Sequence, residues 1–118
     1  EIGIQNVKPW TFLGDMGNAV HQHALKNGYS VVKEIGGHGC GLEFHEDPYV
    51  SYVSLPGTEM LMVPGMCFTI EPMVNMGTDE IFQDEGNGWS IYTADGKPSA
   101  QREVQVLVTE DGCDILTW

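Results

Sequence analysis

Turn dipeptides divide the second half of this chain into short apolar runs, and that punctuation constrains the fold more than any other feature. Pro64-Gly65 leads into Met66-Cys67-Phe68-Thr69-Ile70-Glu71, which Pro72 stops. Trp89 to Thr93 forms another run, and a turn around Asp95-Gly96 introduces a long strand from Ser99 to Thr109. Asp111-Gly112 then turns the chain back into Cys113 to Thr117. Runs joined this closely pair antiparallel. The first half supplies one helix, capped by Thr11 and running to about Asn27. Leu13, Met16, Val20 and Ala24 form its core stripe, and Gly28 stands at its stop position. Tyr29 to Glu34 reads as a short strand. Gly36-Gly37-His38-Gly39-Cys40-Gly41 reads as an irregular loop with close backbone approaches. One helix in front of a mostly antiparallel sheet is an α+β arrangement, and 118 residues are one domain or part of one.

Composition narrows the function classes. Five Lys+Arg against 17 Asp+Glu leave a net charge of −12, which disfavours nucleic acid and anionic membrane as partners. No apolar run approaches the ~20 residues that span a bilayer, and no basic leader precedes an apolar stretch. Three widely spaced cysteines, Cys40, Cys67 and Cys113, contain no C-x-x-C pair. They read as free thiols of a reducing, cytoplasmic protein. The chain opens Glu1-Ile2-Gly3 without an initiator Met, which reads as a portion cut from something longer.

The unusual feature is where acids and histidines sit. Glu71 lies in the middle of the apolar strand Met66 to Val74, and Glu103 sits within the strand that carries Val104-Gln105-Val106-Leu107-Val108 and should be buried on at least one face. A carboxylate buried there costs several kcal/mol unless its charge is compensated. Of the five cations only Lys97 and Arg102 lie nearby, so a metal ion is the natural compensator. His38, between two glycines, is a third candidate ligand. One His with two Glu suits Mn²⁺, Fe²⁺, Co²⁺ or Zn²⁺. Taken singly, each Glu reads more readily as a solvent-facing strand residue and His38 as a polar loop residue, and His45 reads equally as a turn residue before Pro48. His21 and His23 point about 200° apart on the helix and cannot share a metal. They read as surface residues.

Three segments together are more specific than any one. Gly37-His38-Gly39-Cys40-Gly41-Leu42-Glu43-Phe44-His45-Glu46-Asp47-Pro48, then Pro64 through Met73 with its Glu71-Pro72-Met73, then Ser99-Ala100-Gln101-Arg102-Glu103, resemble type I methionine aminopeptidases. Within the creatinase and prolidase superfamily, Glu-Pro-Met and Ser-Ala-Gln-x-Glu favour this branch. The resemblance implies half of a pita-bread fold, a curved antiparallel sheet backed by helices. It implies a metalloaminopeptidase that removes the initiator methionine of nascent proteins with water activated by two divalent metal ions (Co, Mn, Fe or Zn). By motif, His38, Glu71 and Glu103 match metal ligands, Glu103 bridging both ions. Glu71 also matches the proton shuttle. His45 matches the catalytic histidine that holds the substrate peptide group, and Phe44, Met73, Trp89 and Gln101 match positions lining or flanking the methionine pocket.

The chain also departs from that pattern. The family centre has five protein ligands, two of them aspartates on strands of an N-terminal half that has no counterpart here. Residues 1–118 therefore read as the C-terminal portion of the catalytic domain, inactive alone. Asp15 lies on the predicted helix and does not replace either aspartate. Val104-Gln105 stands where many members have His-Thr, and Arg102 where an aromatic is usual; on a strand Arg102 points away from Glu103. The alternative is a non-catalytic half-domain that binds a peptide or protein. Either way, an open sheet face and edge invite self-association or pairing with a missing N-terminal half.

Overall fold

The computed structural model describes residues 1–117. A short helix α1 (Ile2–Gln5) precedes the main helix α2 (Leu13–Lys26). Ten strands follow: β1 (Ser30–Val31), β2 (Gly37–Gly39), β3 (Glu46–Val50), β4 (Cys67–Ile70), β5 (Met73–Asn75), β6 (Ile81–Gln83), β7 (Ile91–Thr93), β8 (Ser99–Gln101), β9 (Val104–Val108) and β10 (Cys113–Thr117). They form a five-stranded sheet in the order β10-β9-β4-β2-β3, a three-stranded sheet β1-β5-β8, and the hairpin β6-β7. Every strand pairing is antiparallel, as the turn chemistry requires.

The helix begins one residue later than its expected cap. Phe12 is the N-cap residue, and Asp15 accepts its backbone N–H at 3.1 Å. The same carboxylate accepts the Gly57 N–H at 2.7 Å, tying the 55–60 loop to the helix start. At the other end Gly28 has φ +81°. Its N–H donates to the Leu25 carbonyl and that of Tyr29 to the Ala24 carbonyl, which ends the helix in a glycine cap. The stripe Leu13, Met16, Val20 and Ala24 packs on the five-stranded sheet with Phe68, Ile70, Val104, Val106 and Val108. Each fully buried large side chain there contributes about 1.5–3 kcal/mol of transfer free energy.

Several sequence expectations are corrected. The expected irregular loop contains a strand: Gly37–Gly39 is β2, inside the five-stranded sheet between β3 and β4. Close backbone approach explains its composition, because a Cβ at Gly37 would run into the Thr69 carbonyl and one at Gly39 into the Asp47 carbonyl. The expected strand 29–34 shrinks to Ser30–Val31, and 89–93 to Ile91–Thr93. The continuous runs Met66 to Val74 and Ser99 to Thr109 are each broken in two. Ile70 pairs with Val104 in one sheet and Met73 with Gln101 in the next. Both chains therefore change sheets side by side, one at Glu71-Pro72 and the other at Arg102-Glu103.

Candidate metal centre

That shared corner creates the site. Glu71 is not mid-strand but follows the last residue of β4, and Glu103 precedes the first of β9. Strand alternation puts Phe68 and Ile70 toward the core and Cys67 and Thr69 toward the other face; Val104 and Val106 likewise alternate with Gln105. Glu71 and Glu103 continue the outward series, and His38 and Cys40 join it from β2. A cleft of about 660 Å³ on this face is lined by His38, Cys40, Phe44, Thr69, Glu103 and Gln105, among others. Glu71 is half-buried and Glu103 exposed, so the expectation of a buried Glu103 is corrected. Compensation of burial therefore applies to Glu71 alone, and like-charge proximity unites the two.

One ligand atom each from His38, Glu71 and Glu103 lie within 4.8 Å of one another. His38 Nε2 is 3.7 Å from Glu71 Oε1, with both side chains 15% exposed. His38 Nδ1 is 2.9 Å from the Gly39 carbonyl. A carbonyl only accepts, so Nδ1 donates there, and Nε2, on the carboxylate side, is the ring atom placed to meet a metal. Burial, reinforced by the Glu103 carboxylate, pushes the Glu71 carboxyl above the ordinary glutamate range, against the opposing pull of His38 and Thr69. A divalent cation reverses that penalty, and the donor set of one imidazole and two carboxylates suits such an ion. The residues fit a metal.

The backbone is held as firmly as the side chains. Thr69 Oγ1 accepts the His38 N–H at 3.0 Å, linking β2 to β4. The Tyr52 hydroxyl accepts the Glu71 N–H at 2.6 Å, and the Glu71 carbonyl accepts from Gln101 Nε2 at 3.0 Å. Tyr52 is 1% exposed, and burial pushes its hydroxyl well above the usual tyrosine range. Tyr52 and Thr69 went unnoticed in the sequence. Thr69 sits two residues before Glu71 on the same face, which is a usable signal; Tyr52, in a loop, carries none.

The other sequence candidates divide into two groups. The His45 ring centroid is 4.2 Å from that of His38 and 4.5 Å from that of Phe44. Phe44 lines the cleft and is 79% exposed, and His45 sits against it. Met73 and Gln101 face each other in register across β5 and β8 and border a smaller concavity with Ile81, Ile91 and Tyr92. Trp89 is in the β6-β7 turn, 85% exposed. It lines neither concavity among the described residues. His21 is half-buried and His23 exposed on α2.

Cys40, Cys67 and Cys113 are free, half-buried thiols. Burial, with the adjacent Cys67 thiol, pushes the Cys40 pKa up to about 11. Among the described residues no helix is long and apolar enough to cross a membrane.

Comparison with known proteins gives the family of the fold that carries this site. The model of metallopeptidase family M24 matches residues 1–110. The methionine aminopeptidase of Haemophilus influenzae is 43% identical over 116 residues, 98% of this chain and 43% of that protein. The chain thus spans less than half the length of this curated relative. A crystal structure of methionine aminopeptidase from Rickettsia prowazekii superposes with a TM-score of 0.96 at 40% identity, covering 99% of this chain and 47% of that one. A prolidase from Pyrococcus horikoshii, 24% identical, shares the fold at a TM-score of 0.67 over 98% of this chain and 27% of its own. The α+β pita-bread architecture implied by the resemblance is therefore the fold of these residues. With a matching family model over nearly its whole length and a His-Glu-Glu cluster at the sheet corner, this chain belongs to metallopeptidase family M24.

Proposed function

We propose that residues 1–118 are the C-terminal portion of a methionine aminopeptidase catalytic domain, carrying three ligands of a centre for two divalent ions, Co, Mn, Fe or Zn. The observation that carries this reading is the convergence of His38, Glu71 and Glu103 within 4.8 Å, together with 43% identity to a methionine aminopeptidase. Bound divalent ions supply Lewis-acid polarisation of a carbonyl and lower the pKa of water. His38 would offer Nε2, its ring held by the Nδ1 bond to the Gly39 carbonyl, and Glu103 would offer its carboxylate from the exposed rim to help hold the ions. Two further acidic ligands come from outside these residues, so this chain alone turns over little or no substrate.

Glu71 is the proton carrier. It takes a proton from the attacking water and gives it to the leaving amine, while Tyr52 and Gln101 keep its backbone from drifting. His45 holds the substrate peptide group beside His38, and Phe44 packs on that imidazole at the cleft. Met73, Trp89 and Gln101 line or flank the pocket for an unbranched thioether side chain once the rest of it is present. The substrate is a nascent peptide beginning with Met, and the site of action is the cytoplasm. Self-association through the open sheet face is the remaining partner reading; a monodisperse monomer in sedimentation at high concentration counts against it.

The test is complementation. The N-terminal half of the Haemophilus influenzae relative is added to this chain with Mn²⁺ or Co²⁺, and methionine release from Met-Ala-Ser is followed. Release that depends on both parts, and that Glu71→Ala abolishes, supports the enzyme reading. A stable complex with bound metal and no release favours the peptide-binding module instead.

A further inference from the structure

Three residues on the cleft face have no part in the chemistry above: Cys40, Cys67 and Gln105. Antiparallel pairing sets Gly39 opposite Phe68, which brings Cys40 of the β2 extension opposite Cys67 of β4, with the Cys40 N–H donating to the Cys67 carbonyl at 3.1 Å. Directly opposed antiparallel residues have Cα atoms roughly 4.5–5.5 Å apart, inside the roughly 4.4–6.8 Å that a disulfide spans. The two sulfurs already touch at 3.4 Å. Gln105 Nε2, from the next strand, donates to Cys40 Sγ at 2.8 Å and to Cys67 Sγ at 3.3 Å. One amide thus supports negative charge on whichever sulfur develops it. Cys40 and Gln105 line the open cleft, so a small oxidant reaches the pair. Cys113 is different: its Sγ donates to the Ile4 carbonyl at 3.8 Å, on the core side of the sheet.

We propose that Cys40 and Cys67 are a redox-modifiable dithiol that a hydroperoxide closes to a cross-strand disulfide. One sulfur attacks the peroxide O–O bond and becomes a sulfenic acid, releasing hydroxide. The second sulfur attacks the first, the S–S bond forms and the sulfenic oxygen leaves as water. In sum two thiols and one hydrogen peroxide give one disulfide and two waters, with two electrons passing from sulfur to oxygen. Closure pins β2, which carries His38, to β4, which leads into Glu71. The bond closes a loop between positions 27 apart in sequence, so the oxidised chain melts at a higher temperature than the reduced one.

The test uses the whole metal-free chain in EDTA with hydrogen peroxide, read by thiol titration, intact mass and peptide mapping under non-reducing conditions. The expected result is a fall from three free thiols to one, a mass lower by two hydrogens, a Cys40–Cys67 linked peptide, and full reversal by dithiothreitol. Cys113→Ser closes equally well. Cys40→Ser and Cys67→Ser, checked for folding by circular dichroism, do not close. Gln105→Ala closes about fivefold more slowly, the effect of losing one hydrogen bond to the developing charge. Three persisting thiols, oxygen addition without linkage, or linkage through Cys113 overturns the proposal, and the wild-type map alone decides this even where a variant misfolds.

Discussion

The five-stranded sheet and the segment from Met73 to Gln101 are built from the same kinds of short strand, yet they differ in what lies behind them. Val104, Val106 and Val108 alternate inward against α2, and Phe68 is 0% exposed. Ser99–Gln101 is exposed at every position, and the β6-β7 hairpin stacks Phe82 on Tyr92 at 5.5 Å with each about half exposed. The candidate ligands stand on the thick sheet or at its corner. Met73, Gln101 and Trp89 stand on the thin part. The lesson is that the candidate ligands are positioned by this chain's own core, whereas Met73, Gln101 and Trp89 stand where little of that core backs them.

The sharpest way to break that contrast is paired truncation. Phe68→Ala is expected to cost about 3–5 kcal/mol in urea unfolding, because a buried aromatic leaves a cavity. Phe82→Ala, on the exposed hairpin, is expected to stay below about 1 kcal/mol. Equal losses would erase the distinction between the two regions. Next in size is Tyr52→Phe, which strips the acceptor from the half-buried Glu71 N–H. The expected cost is about 1–3 kcal/mol, with a weakened affinity for Mn²⁺; unchanged metal affinity would mean that Tyr52 does not hold Glu71 in place.

Gly28→Ala comes third, at about 1 kcal/mol, since φ +81° penalises any Cβ. Thermal melts measure it, and no loss would mean the helix end relaxes. The smallest effect concerns the thin region. Backbone N–H groups of Thr78 and Lys97 hold the exposed Asp95 carboxyl below its ordinary value. A depressed carboxyl stabilises the fold above its unfolded pKa, and that contribution disappears as pH falls through the folded one. The gap in urea midpoint between wild type and Asp95→Asn should therefore be present at neutral pH and close on acidification. A gap that widens in acid contradicts the assignment.

Local signals were readable in the sequence because local chemistry decides them. The helix stripe, the Gly28 stop, the turn at Pro64-Gly65 and the hairpin at Asp111-Gly112 need only neighbours along the chain. The sheet change at Glu71-Pro72 and Arg102-Glu103 was not readable, since it depends on two distant segments breaking in register. Nor was β2, whose glycines have poor strand propensity and are selected by the Thr69 and Asp47 carbonyls pressing on them. Strands β3 and β6 escaped for a related reason: Asp47-Pro48, and the short Ile81–Gln83 between Glu80 and Asp84, look like loop. At the site, the shortage of cations pointed to metal, and motif resemblance supplied the residues. The burial argument held for Glu71 and not for Glu103, because a corner residue leaves the protected interior of its strand.

The most direct test of a core-positioned ligand cluster is calorimetric titration of this chain with Mn²⁺ or Co²⁺, beside Glu71→Ala and the exposed-turn variant Trp89→Ala. The expected result is saturable, weak, substoichiometric or single-site binding that Glu71→Ala abolishes and Trp89→Ala leaves unchanged. Binding that survives Glu71→Ala, or no saturable binding in the folded wild type, would contradict it.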